Sequence, residues 1–331
     1  MKELLFYHTI SLGLGILLDQ FIGDPKDLPH PVRAMGKLIL SLEKRLLEED
    51  RPGKAKGRGV LLWILVVCTV TVCTLVPLGG AYLLHPFAGM LLETILTAYI
   101  LAARSLCRES MAVYRKLKEG DTEGAKAALS MIVGRDTDDL TEEEIAAAAV
   151  ETVAENTSDG VIAPLLFTAL GGPVLGLFYK AVNTMDSMLG YRSERYERFG
   201  WFAARSDDVM NFLPSRISAL LMILAAAFLG LFSKDVHGKD ALRIWKRDRR
   251  NHTSPNSAQT ESVCAGALGL KLGGTHRYGG REVLKPTIGD GIRTAGACDI
   301  KRANMLMFAT EAFAAAFIFA ILAVFLCFGS L

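Results

Sequence analysis

The uncharged stretch from Val60 to Leu84, VLLWILVVCTVTVCTLVPLGGAYLL, decides the class of fold. A helix of about 20 apolar residues crosses the hydrocarbon core of a bilayer, so this stretch predicts a transmembrane helix. The chain is 51% hydrophobic and still 22% charged, a mixture that is typical of a membrane protein with substantial polar loops. The formal net charge of +2 leaves no large basic excess and argues against a nucleic-acid partner.

Further apolar segments lie on both sides of this helix. We predict an all-α polytopic integral membrane protein, folded as a single membrane domain over residues 1–331, with helical cytoplasmic loops and broken or re-entrant helices. The predicted membrane segments are 3–18, 60–84, 87–103, 161–182, 217–232 and 312–331, and the polar loops are 19–59, 104–160, 183–216 and 233–304. The Lys and Arg content of the loops predicts that they face the cytoplasm from the cell (inner) membrane.

The apolar segment 161–182 contains a built-in interruption at Gly171, Gly172 and Pro173. Proline cannot donate a helical hydrogen bond, and glycine readily leaves helical geometry. The segment is therefore predicted to be a broken helix or a re-entrant hairpin. Such backbone is tolerated at membrane depth where protein or water covers it.

Acidic residues follow one face of a predicted helix that precedes this segment. Thr141 and Glu144 form a capping box, so the helix should begin there and stop near Gly160. Glu144, Ala148, Glu151 and Glu155 then lie on one stripe at steps of three and four residues. Carboxylates close to membrane segments normally face a wet cavity or an ion. The alternative is an ordinary solvated helix whose acids favour solubility and the helix dipole.

Two further helical faces carry carboxylates and amides. Asn183 and Asp186 are three residues apart, and Asp207 and Asn211 are four apart, with Asp208 beside them. Such oxygens suit a hard cation that also holds a phosphate, so we predict Asp207, Asp208 and Asn211 as Mg²⁺ ligands. The alternative is that these three residues cap or salt-bridge the next helix.

Charged residues outside these faces complete the predicted site. Asp24 and His30 lie in a proline-stiffened loop that follows a membrane segment, and His30 acts there as a ligand, as an acid–base group or as a loop hydrogen-bonder. Arg135 and Arg205 flank the acidic stretches. Arginine grips a phosphate or carboxylate in two places, so both are predicted to hold an anion.

An ordered set of motifs extends over most of the chain. It consists of LLDQFIGDPKDLPHPVRAMGKLI at 17–39, VGRDT at 133–137, VETVAENTSDGVIAPLLF at 150–167, NTMDSMLGYRSERYERFGWFAARSDDVMNFLPSRISALL at 183–221, and SPN, AGALG and LGG within 254–274. The set resembles the adenosylcobinamide-phosphate synthase (CbiB/CobD) family, membrane enzymes of cobalamin biosynthesis. One departure is that the family usually has a Gly-Trp-Pro-Glu-like stretch after SPN, where this chain has SAQTE.

The resemblance implies an ATP-dependent acid–amine ligase. The family joins (R)-1-aminopropan-2-ol, or its O-phosphate, to the free propionate carboxylate of adenosylcobyric acid. ATP is implied by the resemblance alone, because the chain contains no G-x-x-x-x-G-K-[ST] motif. Activating a carboxylate with ATP needs Mg²⁺, cations for the developing charge and a base for the amine.

These requirements give the predicted roles of the residues. The predicted catalytic residues are Arg135, Glu151, Glu155 and Asp186. The predicted substrate-binding residues are Asp24, His30, Asn156, Asp159, Asn183, Arg205, Ser254 and Asn256. The expected partners are the corrinoid and amine substrates and the lipid bilayer, with the oligomeric state left open.

Two functions of other classes stay open at this point. A cation-coupled membrane transporter also uses broken helices with acidic and amide residues near the midplane. The small number of full spans, the lack of an inverted repeat and the long polar loops argue against it. A Mg²⁺-dependent membrane phospho-alcohol transferase is the second alternative, because its aspartate pairs hold the same ion.

Overall fold

The computed structural model describes residues 2–23, 29–47, 52–190 and 196–328. Contacts divide the chain into two compact units. Unit 1 comprises Met1–Ala102, Ala163–Asn211 and Ile318–Leu331, and unit 2 comprises Ala103–Ile162 and Phe212–Phe317. The single membrane domain that we expected over the whole chain stays a prediction.

The described residues are mostly helical, which confirms the predicted all-α class. In chain order the α-helices and strands are α1 (Lys2–Ile22), α2 (Pro31–Leu46), α3 (Ala55–Leu84), α4 (Pro86–Ile100), α5 (Ala103–Lys118), α6 (Thr122–Ser130), α7 (Glu142–Asn156), α8 (Ala163–Leu189), α9 (Trp201–Met210), α10 (Phe212–Leu229), α11 (Gly238–Asp248), α12 (Ser257–Leu268), β1 (Leu272–Tyr278), β2 (Arg281–Ile288) and α13 (Ala297–Phe328). A 3₁₀ turn at Pro52–Lys54 precedes α3, and a π-helix at Thr157–Ile162 joins α7 to α8.

Six helical stretches of the described residues are long and apolar enough to cross a membrane, as expected for a multi-pass membrane protein. They are Lys2–Ile22, Ala55–Leu84, Pro86–Lys118, Glu142–Leu189, Phe212–Leu229 and Ala297–Phe328. Each predicted membrane segment overlaps one of them. The predicted segment 217–232 extends past Leu229, where the helix ends.

Helix α3 is the centre of unit 1, where it packs against α2, α4, α8 and α9. Leu62 and Val66 of α3 are buried together with Met185 of α8. Between membrane helices, close backbone approach and dispersion take over much of the role that the hydrophobic effect has in water. Gly59 permits such an approach, because a Cβ atom there would lie 1.9 Å from the carbonyl oxygen of Phe199.

Helix α8 is broken at Gly171–Gly172, which confirms the predicted broken helix. The Ala169 carbonyl has no helical donor, because a proline stands four residues later. It accepts a hydrogen bond from His8 Nε2 at 3.1 Å instead. His8 Nδ1 lies 2.6 Å from one oxygen of the buried Glu93, whose other oxygen accepts a hydrogen bond from Tyr82. Side chains of unit 1 therefore cover the polar backbone at the break.

Unit 2 is organised around α12, in which every residue is buried. Helices α7, α10 and α11 pack against α12, and α5 and α6 pack against each other and against α7. The antiparallel hairpin of β1 and β2 packs on α7 through β1 and on α12 through β2. We predicted a polar loop over 233–304 and did not predict these strands.

Candidate active site

Helix α7 places its glutamates as the spacing predicted. The capping box is present: the Glu144 amide donates to Thr141 Oγ1 at 3.3 Å, and the Thr141 amide donates to a Glu144 carboxylate oxygen at 2.9 Å. Glu151 and Glu155 follow on the face that packs into unit 2, where Glu151 is buried. The solvated-helix alternative therefore fails for Glu151 and fits Glu144, which is exposed.

The prediction that this helix stops near Gly160 is wrong. The chain passes through the π-helix Thr157–Ile162, which contains Asp159, and continues into α8. The apolar residues after Gly160 favour continued helix, and a single glycine costs a helix only about 1 kcal/mol. π-Helical turns of this kind occur frequently at functional sites.

Arg135, in the middle of the VGRDT segment, forms an ion pair with Glu151. Arg135 Nη2 lies 2.7 Å from a Glu151 carboxylate oxygen, and the two side chains are 10% and 9% exposed. Charge-assisted contacts of this kind are the strong hydrogen bonds of proteins. Arg135 therefore neutralises the buried Glu151.

Helix α12 supplies the second wall of the acidic region. Ser257 Oγ donates to a Glu155 carboxylate oxygen at 2.8 Å. Glu261 lies one turn further along α12 and is 1% exposed. Burial raises the pKa of Glu261 well above its usual range, and Glu151 and Glu155 raise it further, so the protonated form is favoured.

The departure at SAQTE, residues 257–261, lies within the buried helix α12. Trp245 Nε1 donates to Gln259 Oε1 at 3.0 Å, and Gln259 Nε2 donates to the Arg249 carbonyl at 3.2 Å. These residues hold α12 to α11. Since the whole helix is buried, SAQTE offers no open face on which a flat ligand could stack.

The β-hairpin brings three side chains to the same region. His276 and Tyr278 lie on β1 and Lys285 lies on β2. Burial and the Arg135 charge lower the pKa of His276 to about 3, so this ring is neutral at neutral pH. Its Nε2 atom is 3.8 Å from Glu151, too far for a hydrogen bond.

The turn of the hairpin is fixed by Asp136. Gly279 and Gly280 both have positive φ, +54° and +76°, which a two-residue hairpin turn requires and glycine adopts without strain. Their amides donate to the two Asp136 carboxylate oxygens at 3.0 and 2.7 Å. The Asp136 amide in turn donates to the Arg277 carbonyl at 2.8 Å. The residue next to Arg135 thus attaches the hairpin to the VGRDT segment.

These elements enclose a pocket of about 120 Å³. It is lined by Ile132, Val133, Gly134, Arg135, Glu151, Thr152, Glu155, Asn156, His276, Tyr278 and Lys285. Four of the predicted site residues therefore meet at one cavity of unit 2: Arg135, Glu151, Glu155 and Asn156.

Ser254 and Asn256, also in unit 2, make internal hydrogen bonds. Asn256 Oδ1 accepts from Ser215 Oγ at 3.3 Å and from Arg216 at 3.0 Å. The backbone amide of Asn256 donates to Ser254 Oγ at 3.2 Å. Their substrate-binding role stays a prediction.

A second set of predicted residues lies in unit 1. Asn183 Nδ2 donates to one Asp207 carboxylate oxygen at 3.2 Å, and Asn211 Nδ2 donates to the other at 3.0 Å. Asn211 Oδ1 accepts from the Tyr179 hydroxyl at 2.7 Å. In this network the asparagines turn their amide nitrogens toward Asp207.

This arrangement does not fit the predicted Mg²⁺ ligands well. Within residues 2–23, 29–47, 52–190 and 196–328, no group of three or more His, Cys, Asp or Glu side chains is arranged to hold a metal ion. Asp207 is buried with a donor on each oxygen, Asn211 uses its own oxygen for Tyr179, and Asp208 is half-buried. The metal role of Asp207, Asp208 and Asn211 stays a prediction, and we derive no step through it.

The remaining predicted residues of unit 1 are less informative. Asp186 is half-buried on α8 and Arg205 is exposed on α9. His30 caps α2, where its Nδ1 accepts from the Val32 amide at 3.2 Å, as the loop hydrogen-bonder interpretation expected. Asp24 lies outside the described residues.

The chain matches a known protein family over most of its length. The family model described as CobD/Cbib protein matches residues 12–307. The chain belongs to this family. The resemblance that we drew from the motifs is thereby confirmed.

Relatives support the same assignment. The chain is 51% identical to the "Cobalamin biosynthesis protein CobD" of Geobacter metallireducens over 300 residues, which cover 90% of this chain and 91% of that protein. It is 43% identical to the CobD protein of Clostridium perfringens over 298 residues, with 90% and 93% covered. It is 46% identical to the "Cobalamin biosynthesis protein CbiB" of Salmonella arizonae over 303 residues, with 91% and 93% covered. No solved structure matches the chain significantly.

Several residues of the pocket region were not predicted from the sequence, namely Glu261, His276, Tyr278 and Lys285. A signal for the hairpin was present: Gly279–Gly280 is a two-residue turn that joins two runs of residues able to form strands. The burial of Glu261 had no local signal, because it depends on helices that are distant in the sequence.

Removing one acceptor oxygen at Asp136 should loosen the hairpin. Asp136→Asn replaces one carboxylate oxygen by an amide nitrogen and removes the charge. Hydrogen bonds to charged groups contribute roughly 1.5–3 kcal/mol, so amides of residues 272–288 should exchange with solvent about 10- to 100-fold faster. Hydrogen–deuterium exchange of the full-length protein in nanodiscs measures this.

Asp138→Asn is the matched control, because Asp138 is exposed in the same segment and its side chain makes no hydrogen bond to the described residues. It should leave exchange in the hairpin unchanged. Equal exchange of the hairpin in wild type and in Asp136→Asn would contradict the attachment.

Proposed function

We propose that this chain is an enzyme of cobalamin biosynthesis that forms an amide from a carboxylic acid and an amine in an ATP-dependent reaction. The family and the relatives' printed names support the role in cobalamin biosynthesis. Within that role, the proposed acid is adenosylcobyric acid. The proposed amine is (R)-1-aminopropan-2-ol or its O-phosphate.

The observation that carries this proposal is the pocket of unit 2, where side chains of both charges line one small cavity. Glu155 is half-buried and fixed by Ser257, so it presents a positioned carboxylate. Arg135 and Lys285 present cations in the same wall. An acid–amine ligation needs both, because one substrate arrives as an anion and the other as an ammonium ion.

The proposed reaction begins with activation of the carboxylate. A carboxylate resists attack by an amine until one of its oxygens becomes part of a leaving group. When bound, ATP would supply the phosphoryl group for this and leave as ADP. The amine nitrogen would then attack the carbonyl carbon, the new C–N bond would form as the bond from carbon to the phosphorylated oxygen breaks, and phosphate would leave with the former carboxylate oxygen and the second amine proton.

Glu155 is the proposed proton acceptor. An ammonium ion has no lone pair, so it must lose one proton before it attacks and a second as the amide forms. The Glu155 carboxylate lies in the pocket wall and accepts the first of these. Arg135 stabilises the negative charge that develops on the oxygens, and Glu151 fixes the position of Arg135.

The residues of unit 1 enter the proposal as substrate-binding groups. Asn183 on α8 and Arg205 on α9 offer polar groups that suit the amide side chains and the nucleotide part of a large corrinoid. Asp186 on α8 keeps its proposed catalytic role. Asn156, Asp159, Ser254 and Asn256 are the proposed substrate-binding groups of unit 2.

Neutralising Glu155 should lower turnover strongly. Glu155→Gln keeps the size of the side chain and the hydrogen bond to Ser257 but removes the base, so kcat should fall by about 10²- to 10⁴-fold. Full-length protein in nanodiscs, supplied with ATP, Mg²⁺, adenosylcobyric acid and either amine, is assayed for the new corrinoid amide and for ADP. Glu143→Gln, an exposed change on the same helix, should be neutral.

The same assay separates the alternatives. A wild-type protein that makes no amide and no ADP with these substrates would refute the ligase. Amide formation without ATP would refute the activation step. Transfer of a phospho-alcohol to the corrinoid, or substrate accumulation inside proteoliposomes, would favour the phospho-alcohol transferase or the transporter instead.

We also propose that the protein lies in the inner membrane with its polar loops in the cytoplasm. Lys54 and Lys246 are exposed residues of two basic segments, and such segments stay on the cytoplasmic side. In a cysteine-free background, Lys54→Cys and Lys246→Cys should not react with a membrane-impermeant maleimide in intact cells. Both should react in inverted vesicles. Labelling of both in intact cells would show the opposite orientation, with these loops outside the cytoplasm.

A further inference from the structure

Lys285 differs from the other charged residues of the pocket in having no direct partner. Its side chain lines the pocket from β2. Within the described part of the chain its ammonium group makes no hydrogen bond and no ion pair. By contrast, Arg135 is paired with Glu151 and Glu155 accepts from Ser257.

The ammonium group nevertheless keeps its charge. Burial alone would lower the pKa of Lys285, but Glu151, Tyr278 and Glu155 outweigh that effect and raise it. These three groups act on the ammonium group electrostatically, without a hydrogen bond to it. The result is a positive group, half-buried, whose three donors point to no protein acceptor.

A half-buried cation without a protein acceptor takes its hydrogen-bond acceptors from water or from a ligand. The wall beside Lys285 suits an anion, because Arg135 lies in the same pocket as a second cation. Tyr278 also lines the pocket and carries a hydroxyl donor. Glu151 and Glu155, the two acidic residues of the lining, already accept hydrogen bonds from Arg135 and Ser257.

The volume limits what binds there. A pocket of about 120 Å³ is close in size to a cavity of about 150 Å³ that binds benzene. A carboxylate or phosphate group fits such a volume, and the pocket is open to solvent, so the rest of a larger substrate can extend out of it.

We infer that Lys285 anchors an oxyanion, either a carboxylate or a phosphate, of a substrate in this pocket, with Tyr278 and Arg135 as neighbouring donors. The assignment to a substrate rests on the proposed function, whereas oxyanion binding itself does not. An anion held at Lys285 would share one small cavity with Glu155, the proposed proton acceptor. Lys285 would then determine which substrate group is placed beside the base.

A binding measurement tests the anchor without turnover. Inorganic phosphate and acetate are titrated into full-length protein in nanodiscs, and an amine-reactive acylating reagent reports the exposure of each lysine by mass spectrometry. At least one of the two anions should protect Lys285 of the wild-type protein, and neither should protect the exposed Lys271. Absence of protection by both anions would overturn the inference, and this arm needs no variant to fold.

Substitution then identifies the source of the oxyanion. Lys285→Met should raise the KM of one substrate about 10- to 100-fold, the range for losing one charge-assisted hydrogen bond, with a smaller change in kcat. Lys285→Arg should restore most of the affinity, and Lys271→Met should have no effect. A raised KM for ATP, for adenosylcobyric acid or for the phosphorylated amine assigns the anion to a nucleotide phosphate, to the propionate or to the amine's phosphate. Unchanged KM values for all three would contradict the role in substrate binding.

The two proposals fail separately. If no amide forms but phosphate or acetate still protects Lys285, the anion site stands and the ligase does not. If amide forms at the wild-type rate and with wild-type KM values in Lys285→Met, the ligase stands and the anchor does not.

Discussion

Buried carboxylates set the main constraint on unit 2, since each must be matched by a cation, a hydrogen bond or a proton. Glu151 takes the cation, because Arg135 lies 2.7 Å from it. Glu155 takes the hydrogen bond from Ser257. Burial raises the pKa of Glu261, the most buried of the three, and so favours its neutral form. The three glutamates thus meet their burial in three different ways.

The elements of unit 2 follow from that arrangement. The VGRDT segment supplies Arg135, and its next residue, Asp136, holds the turn of the hairpin through two glycine amides. The hairpin in turn supplies Lys285, whose charge reaches Glu151 and Glu155 without direct contact. An isolated two-stranded hairpin is marginal in water, so these attachments are what make it a wall of the pocket. Structure and proposed chemistry therefore depend on the same charges.

The sequence predicted the features that arise from local patterns. Hydropathy located the membrane helices, the Thr141–Glu144 capping box located α7, and Gly171–Gly172 located the break in α8. Features that depend on distant contacts escaped prediction. Glu261 is buried because α7, α10 and α11 surround α12, and Asp207 accepts a hydrogen bond from Asn183 because α8 and α9 pack together. Neither fact can be read from spacing along one helix.

The ion pair of Arg135 and Glu151 is the most direct point at which to test this account. Full-length protein in detergent, unfolded reversibly with denaturant, gives the free energies of a double-mutant cycle with Arg135→Met, Glu151→Gln and the double variant. Each single change leaves one buried charge unmatched and should cost about 3–5 kcal/mol. The double variant should lose less than the sum, with a coupling energy of about 1–3 kcal/mol. Strictly additive losses would show that charge matching at Glu151 does not organise unit 2.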